Sequence, residues 1–372
     1  MRVVCIAGAR PNFMKIAPVL VALDDAGAET VLVHTGQHYD EAMSQVFFEE
    51  LDIRKPDEHL GVGSGSHSEQ TARVMVAFET LLHSLFADVV VVVGDVNSTL
   101  ACSIVAAKSG LLVAHVEAGL RSRDWAMPEE VNRVVTDRVS DYLFAPSADA
   151  VENLRDEGYR EDQIHLVGNV MVDTLLRNVE RARARGLPPH LAAQLPAQYA
   201  VLTLHRPSNV DDPAALSSLL GALGEVAREI PIVFPAHPRT RERLAGLDIP
   251  AGILLAEPLG YLDFLALQAD ATMVLTDSGG IQEETTALGV PCLTLRTTTE
   301  RPITVSEGTN RLVGTDPATI VAAAHEVLHG EVPRRCPALW DGAAAPRIAR
   351  IILDGGTAGE RLRPTARVER DS

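Results

Sequence analysis

Positive charge is scarce in this chain. Its 372 residues include 50 Asp and Glu but only 33 Lys and Arg, a formal net charge of −17. Tight binding of a phosphate backbone needs clustered cations, so the balance argues against nucleic-acid partners and against an anionic membrane surface. A small anionic ligand is still allowed if a few cations gather in one cleft. Cysteine is sparse as well. Cys5, Cys102, Cys292 and Cys336 form no CxxC, and the first three lie in apolar runs where a thiol acts as a small hydrophobe. A reducing compartment fits this usage. Long hydrophobic runs are missing: the longest aliphatic run, Val89–Val93, is a strand's length and far short of a membrane span. The opening MRVVCIAGARPNF turns polar too soon for a signal peptide. The expectation is a soluble cytoplasmic protein without membrane attachment. There is no GxxxxGK[ST] run, and Gly61-Val62-Gly63-Ser64-Gly65-Ser66 lacks the GxGxxG order and reads as a loop. No set of metal ligands stands out, so neither a metal nor a cofactor is expected.

What is present is the composition of a globular enzyme, 46% hydrophobic and 22% charged, in a chain long enough for two domains. Short aliphatic runs alternate with amphipathic stretches, the pattern of a doubly wound parallel α/β sheet. A first series of strands is expected at 3–7, 30–34, 89–94, 112–117 and 142–145, and a second at 200–204, 232–235, 253–255, 273–276 and 292–295. The division expected is an N-terminal domain over 1–169, a C-terminal domain over 170–344 and a polar tail over 357–372. A last helix near 345–356 is expected to pack back on the first domain. In open α/β sheets, ligands bind at the carboxyl ends of the strands.

Polar residues cluster at those ends. The first strand runs into Gly8-Ala9-Arg10-Pro11, with Lys15 in the helix that follows, a glycine turn and two cations suited to an anion. Two further strands end in Gly94-Asp95-Val96-Asn97 and His115-Val116-Glu117-Ala118-Gly119. Met127-Pro128-Glu129-Glu130 then reads as a helix start with proline in its first turn. Taken singly, Lys15 reads equally as a surface cation, Asp95 as a helix cap, and Glu129 and Glu130 as carboxylates facing a helix dipole. Several carboxylates converging on one cleft are harder to explain structurally, since buried like charges destabilise the fold. In the second series the strand ends carry His205-Arg206-Pro207 and Ala236-His237-Pro238; each histidine has a core alternative. The most specific signal is Thr276-Asp277-Ser278-Gly279-Gly280-Ile281-Gln282-Glu283-Glu284. A strand entering Ser-Gly-Gly at a helix start presents free N–H groups to a diphosphate, and Glu284 is placed to accept from ribose hydroxyls.

The segments GARPNFMKIAP, HTGQH, GDVNST, HVEAGLRS, MPEEVNR, Leu204-His205-Arg206, DSGGIQEE and TTERP, in this order over about residues 1–315, resemble the non-hydrolysing UDP-N-acetylglucosamine 2-epimerases. That resemblance implies the GT-B architecture, two Rossmann-like domains with the active site between them. It implies conversion of UDP-GlcNAc to UDP-ManNAc by elimination of UDP to a 2-acetamidoglucal and re-addition with protonation on the other face. It further implies a UDP-sugar as ligand and a homodimer. Arg10, Lys15, Asp95, Glu117, Glu129 and His205 match active-site positions. Ser278, Gly280, Glu284 and Arg301 match UDP-binding positions, with Gly279 in the same turn. Phe264 matches an aromatic near uracil, and His237 lies in a matching segment. Where relatives often carry GQHR, this chain has Gly36-Gln37-His38-Tyr39, so regulation by a second UDP-sugar is not carried over. Relatives acting on diacetamido uronic acids, hydrolysing epimerases, a glycosyltransferase of the same fold and a non-catalytic UDP-sugar sensor are the rival readings.

Overall fold

The five valines Val89–Val93 form a strand with every side chain buried, and its two faces enter different cores. This is the consequence of an alternating strand covered by helices on both sides. In the computed structural model, which describes residues 1–36, 53–330 and 333–358, Val89, Val91 and Val93 pack with Phe13, Ile16 and Leu20 of the helix Arg10–Asp25. Val90 and Val92 face the other way, onto Val74 and Phe78 of the helix His67–Leu82 and Ala101 and Cys102 of the helix Asn97–Lys108.

This strand is β4 of a seven-stranded sheet containing β1 (Arg2–Ala7), β2 (Glu29–His34), β3 (Glu58–His59), β5 (Leu112–Val116), β6 (Tyr142–Ala145) and β7 (Ile164–Leu166). The order is β3-β2-β1-β4-β5-β6-β7, and every pairing is parallel. A second sheet of six strands holds β8 (Ala200–Thr203), β9 (Ile232–Pro235), β10 (Ile253–Ala256), β11 (Met273–Thr276), β12 (Cys292–Thr294) and β13 (Asn310–Leu312). Its order is β10-β9-β8-β11-β12-β13, again parallel throughout. Both are Rossmann-type sheets, and together they make the GT-B architecture. Three edge strands, β3, β7 and β13, are unannounced by hydrophobic pattern: β3 is Glu58-His59 and β13 is Asn310-Arg311-Leu312, recruited to the sheet by pairing with a neighbour.

In each sheet the order reverses direction between two central strands, β1 and β4 in the first and β8 and β11 in the second. A crevice opens where helices leave such neighbours toward opposite faces, and ligands of these folds bind there. The helix Val170–Arg185 runs between the sheets, its N-terminus capped by Asn169, whose Oδ1 accepts from Met171 N at 2.9 Å. Thr174 Oγ1 of that helix donates to the carbonyl of Met14. The last helix, Ala344–Ala358, returns to the first sheet, where Ala345, Ile348 and Ile352 join the core of Val3 and Ile16. Asp173 holds its start, accepting from Ala344 N at 3.1 Å and Ala345 N at 2.7 Å. The helix reaches Ala358, past the expected beginning of the polar tail, and 359–372 lie outside the described residues. Among the described residues no helix is long and apolar enough to cross a membrane.

Candidate active site

The first crevice is built at the ends of β1, β4 and β5. After β1, the Asn12 carboxamide accepts from the Gly8 and Ala9 N–H groups at 3.2 and 2.9 Å and donates to the Val93 carbonyl of β4 at 3.0 Å. The two loops at the switch point are thereby locked together. Lys15, one turn on, is only 9% exposed and pairs with Glu117 at the end of β5, so it is no surface cation. Gly94 has φ +67° and lies so close that an added Cβ would meet Lys15 Nζ at 3.0 Å. Arg10 opens the helix, but its side chain lies outside the described residues, as does Tyr39.

Glu117 is the unusual residue here. It is 5% exposed and adopts φ +71°, a left-handed conformation rarely taken by a residue with a Cβ. One carboxylate oxygen binds Lys15; the other is buried without a hydrogen-bond partner. The turn is held from below by Asp137, which accepts from His115 Nδ1 at 2.6 Å and from Gly119 N at 3.1 Å. His115 Nε2 lies 2.9 Å from the Gly94 carbonyl, so this histidine braces the β4 and β5 loops against each other.

Asp95 pairs with Arg133 Nη2 at 2.5 Å and does not cap the following helix, whose N-cap is Val96. Burial opposes its ionisation, yet the combined charges of Lys15, Arg133 and Arg301 hold its carboxyl below the usual range. The neighbouring glutamates at the start of the helix Pro128–Val139 divide their roles. Glu130 is 1% exposed and accepts from Ser122 N and Arg123 N at 2.9 and 2.8 Å, fastening the loop after β5. It also pairs with Arg133. Glu129 is half-buried and carries no hydrogen bond or ion pair among the described residues.

The second crevice faces the ends of β8 and β11. His205 is an exposed side chain rather than a core histidine. Its Nδ1 lies 2.8 Å from Asp277 Oδ1, and Asp277, fully buried, also accepts from the N–H groups of His205 and Arg206. These bonds outweigh burial and keep the Asp277 carboxyl low. His237 is exposed after β9 and caps the short helix Pro238–Leu244, its Nδ1 accepting from Arg239 N at 3.4 Å.

At the end of β11, Ser278 donates its N–H to Thr276 Oγ1 at 3.0 Å, so the free donors are those of the next first-turn residues, Gly279 and Gly280. A Cβ on Gly279 would strike Glu300 Oε1 at 2.6 Å, whereas nothing lies within 4 Å of one on Gly280. Glu284 is 7% exposed; burial, reinforced by the Glu283 charge, pushes its carboxyl up to about 7. Phe264, half-buried in the helix Tyr261–Ala269, packs against the cluster of Leu191, Tyr199 and Leu267.

Arg301 joins the two halves. It is 9% exposed, and its Nε donates to Glu283 Oε1 at 2.8 Å. Burial works against its charge, but Glu283 from the second half and Glu117 and Asp95 from the first raise its pKa well above the ordinary guanidinium value. Glu283 also accepts from Asn169 Nδ2 at 3.0 Å. Lys15, Asp95, Glu117 and Arg301 thus share one cluster. His205, Ser278, Gly279 and Gly280 follow the facing strand ends, Glu284 lies further along the helix Gly279–Leu288, and Glu129 and His237 begin helices after β5 and β9.

Asn12, Arg133, Asp277 and Glu283 are site residues that sequence reading passes over. All four lie inside the quoted motifs, but only contacts reveal which motif members touch which. Away from the cleft, ligand atoms of Glu229, His325 and His329 come within 4.8 Å of one another.

Residues 22–353 match the family model for UDP-N-acetylglucosamine 2-epimerase. A UDP-N-acetylglucosamine 2-epimerase of Methanocaldococcus jannaschii is 41% identical over 365 residues, covering 95% of this chain and 100% of that one. A UDP-2,3-diacetamido-2,3-dideoxy-D-glucuronate 2-epimerase of Pseudomonas aeruginosa is 40% identical over 95% of this chain and 99% of its own. Among solved structures, the M. jannaschii enzyme in complex with UDP-GlcNAc and UDP superposes with a TM-score of 0.84 at 42% identity, over 95% of this chain and all of that one. The Neisseria meningitidis enzyme bound to UDP-GlcNAc superposes with a TM-score of 0.84 at 29% identity, over 95% and 100%. With the family model spanning nearly the whole chain and relatives above 40% identity, this chain belongs to the UDP-N-acetylglucosamine 2-epimerase family and is an isomerase.

Proposed function

We propose that the chain is a non-hydrolysing UDP-N-acetylglucosamine 2-epimerase that interconverts UDP-GlcNAc and UDP-ManNAc. The observation that supports this best is Glu117, strained at φ +71°, with one oxygen bound to Lys15 and the other buried and unpartnered. Such a side chain costs stability twice, through its backbone and its unsatisfied oxygen, and features of this kind collect where chemistry needs them.

The C2 proton of the sugar is not flanked by a ketone, so direct deprotonation is slow. In the route proposed, a carboxylate takes that proton as the C1=C2 bond forms. The C1–O bond breaks and its electron pair leaves on UDP, giving the 2-acetamidoglucal. The UDP oxygen then adds back to C1 while an acid protonates C2 from the other face. Acid–base groups are needed on both faces, and Glu117, Asp95 and Glu129 are the candidates. The departing diphosphate is met by Arg10, Arg301 and the first-turn N–H groups of Gly279 and Gly280. His205, its ring oriented by Asp277, supports the leaving group or a sugar hydroxyl. Glu284 takes the ribose, Phe264 lies by the uracil, and Ser278, Lys15 and His237 complete the substrate contacts. The route is redox-neutral, so it calls for no cofactor. The two domains, 1–169 and 170–344, close on the substrate, and the enzyme is read as a cytoplasmic homodimer.

A second reading, an epimerase of a diacetamido uronic acid, is favoured by one observation, the P. aeruginosa relative of nearly equal identity. Incubating the protein with UDP-GlcNAc in heavy water and following the sugar by proton NMR separates these cases. Deuterium at C2 together with UDP-ManNAc is expected. Accumulating UDP and free sugar would establish hydrolysis instead. Silence on UDP-GlcNAc with exchange on the diacetamido uronic analogue would move the assignment to that substrate. Binding without exchange on either is the outcome for a sensor or a transferase.

A further inference from the structure

The cluster outside the cleft lies at the opposite end of the second sheet. β9 begins at Ile232, so Glu229 sits before the strand's amino end, whereas His205 and Ser278 follow the carboxyl ends of β8 and β11. The helix Pro317–His329 closes with His325-Glu326-Val327-Leu328-His329, an HExxH sequence whose two imidazoles, four residues apart, share one helix face. Their ring centroids are 4.3 Å apart, and His329 Nε2 lies 3.0 Å from Glu229 Oε2. One ligand atom from each of the three residues lies within 4.8 Å of the others, the one such grouping of His, Cys, Asp and Glu among the described residues.

We propose that Glu229, His325 and His329 form a surface binding site for a divalent late first-row transition metal, Zn²⁺ above all. Two imidazole nitrogens and one carboxylate are a borderline donor set, suited to Zn²⁺, Ni²⁺ or Cu²⁺ and unlike the all-oxygen shells of Mg²⁺ and Ca²⁺. Bonds of about 2.0–2.1 Å in a tetrahedron put ligand atoms ~3.4 Å apart. The His329–Glu229 pair is already within that separation, and the His325 ligand atom lies within 4.8 Å of both. Three protein ligands leave the fourth position to water. The last turn of a helix carries partial negative charge, which favours a cation there. Glu326 is not a ligand in this arrangement; it is engaged by Arg311 Nη1 at 2.5 Å. The site therefore binds metal rather than using it for hydrolysis, and the metal clips the helix Pro317–His329 to the segment leading into β9.

The test is calorimetric titration of the EDTA-stripped full chain with Zn²⁺, beside the double variant His325→Ala/His329→Ala and the single variant Glu229→Gln. One Zn²⁺ per chain is expected in the wild type, lost in the double variant and at least tenfold weaker in Glu229→Gln. Zn²⁺ is expected to raise the Tm of the wild type and not that of the double variant, and Mg²⁺ to raise neither. Unchanged melting in EDTA and unchanged C2 exchange would show that the variants are folded. Absence of saturable Zn²⁺ binding by the wild type, or binding of equal stoichiometry and affinity in the double variant, overturns the proposal.

Discussion

Glu117 and Glu284 are both buried carboxyls with different companions. Glu117 has the Lys15 ammonium against it, while the charged neighbour of Glu284 is another carboxylate, Glu283. Replacing Glu117 by Gln keeps the shape and removes one of the proposed acid–base groups, so C2 deuterium incorporation is expected to fall by about 10²–10⁴-fold, the usual worth of a positioned acid–base group. A Glu117→Gln protein with wild-type exchange removes that residue from the chemistry. For Glu284 the sign is opposite to that of a salt-bridged acid. Its folded pKa is raised from 4.5 to about 7, so its contribution to stability is complete below about pH 4.5 and is lost as the pH rises through 7. The permanently neutral Glu284→Gln protein is therefore expected to melt above wild type at pH 8, by on the order of 3 kcal/mol, with the gain shrinking toward pH 5. Equal melting curves at both pH values would show that Glu284 is not destabilised by ionisation. At this scale the motifs identify residue types but not partners. Nothing in Glu283-Glu284 says which carboxylate meets Arg301, and nothing in Glu129-Glu130 says which one braces Ser122 and Arg123.

Turns carry much of the site, and glycines separate those that shape the fold from those that leave room for a ligand. Gly168, at φ +91°, ends the first series of strands; a Cβ there would meet the Leu339 carbonyl oxygen at 2.1 Å. Because backbone cannot step aside, Gly168→Ala is expected to destabilise by about 2 kcal/mol or more, read from urea midpoints. Gly280 has no such neighbour, and its φ is unexceptional. Gly280→Ala is expected to fold with wild-type stability and to weaken UDP binding at least tenfold, since the methyl group occupies the approach to the first-turn N–H groups. If Gly280→Ala binds UDP normally, the diphosphate does not sit on this helix start. Most strands were legible from aliphatic runs because parallel strands covered on both faces must be apolar throughout, as Val89–Val93 shows. The edge strands β3 and β13 were not, because a polar two- or three-residue segment becomes a strand only by pairing with a neighbour.

Among the described residues the two halves touch where Asn169 binds Glu283, Thr174 binds Met14 and Val170 and Met171 enter the first core, and the Arg301 charge is felt by Glu117 and Asp95. In the proposed route an unsaturated sugar and a free UDP must be kept together and away from water between elimination and re-addition. UDP at saturation is accordingly expected to compact the protein in small-angle scattering; superimposable profiles with and without UDP would overturn closure on UDP.

The division between sequence and tertiary structure follows from the range of the interactions. The sequence by itself determined the α/β alternation, the two series of strands, the strand-end loops that hold Asp95, Glu117, His205 and Ser278 and the helix start that holds Lys15, because periodicity, glycine turns and helix starts are local. Only the tertiary structure decided that Lys15 pairs with Glu117, 102 positions away, and that Asp277 orients His205 across 72. The backbone strain at Glu117, and the meeting of Glu229 with a histidine 100 positions on, were likewise decided there. Charge pairing and burial are properties of neighbours in space, and sequence separation carries no information about them.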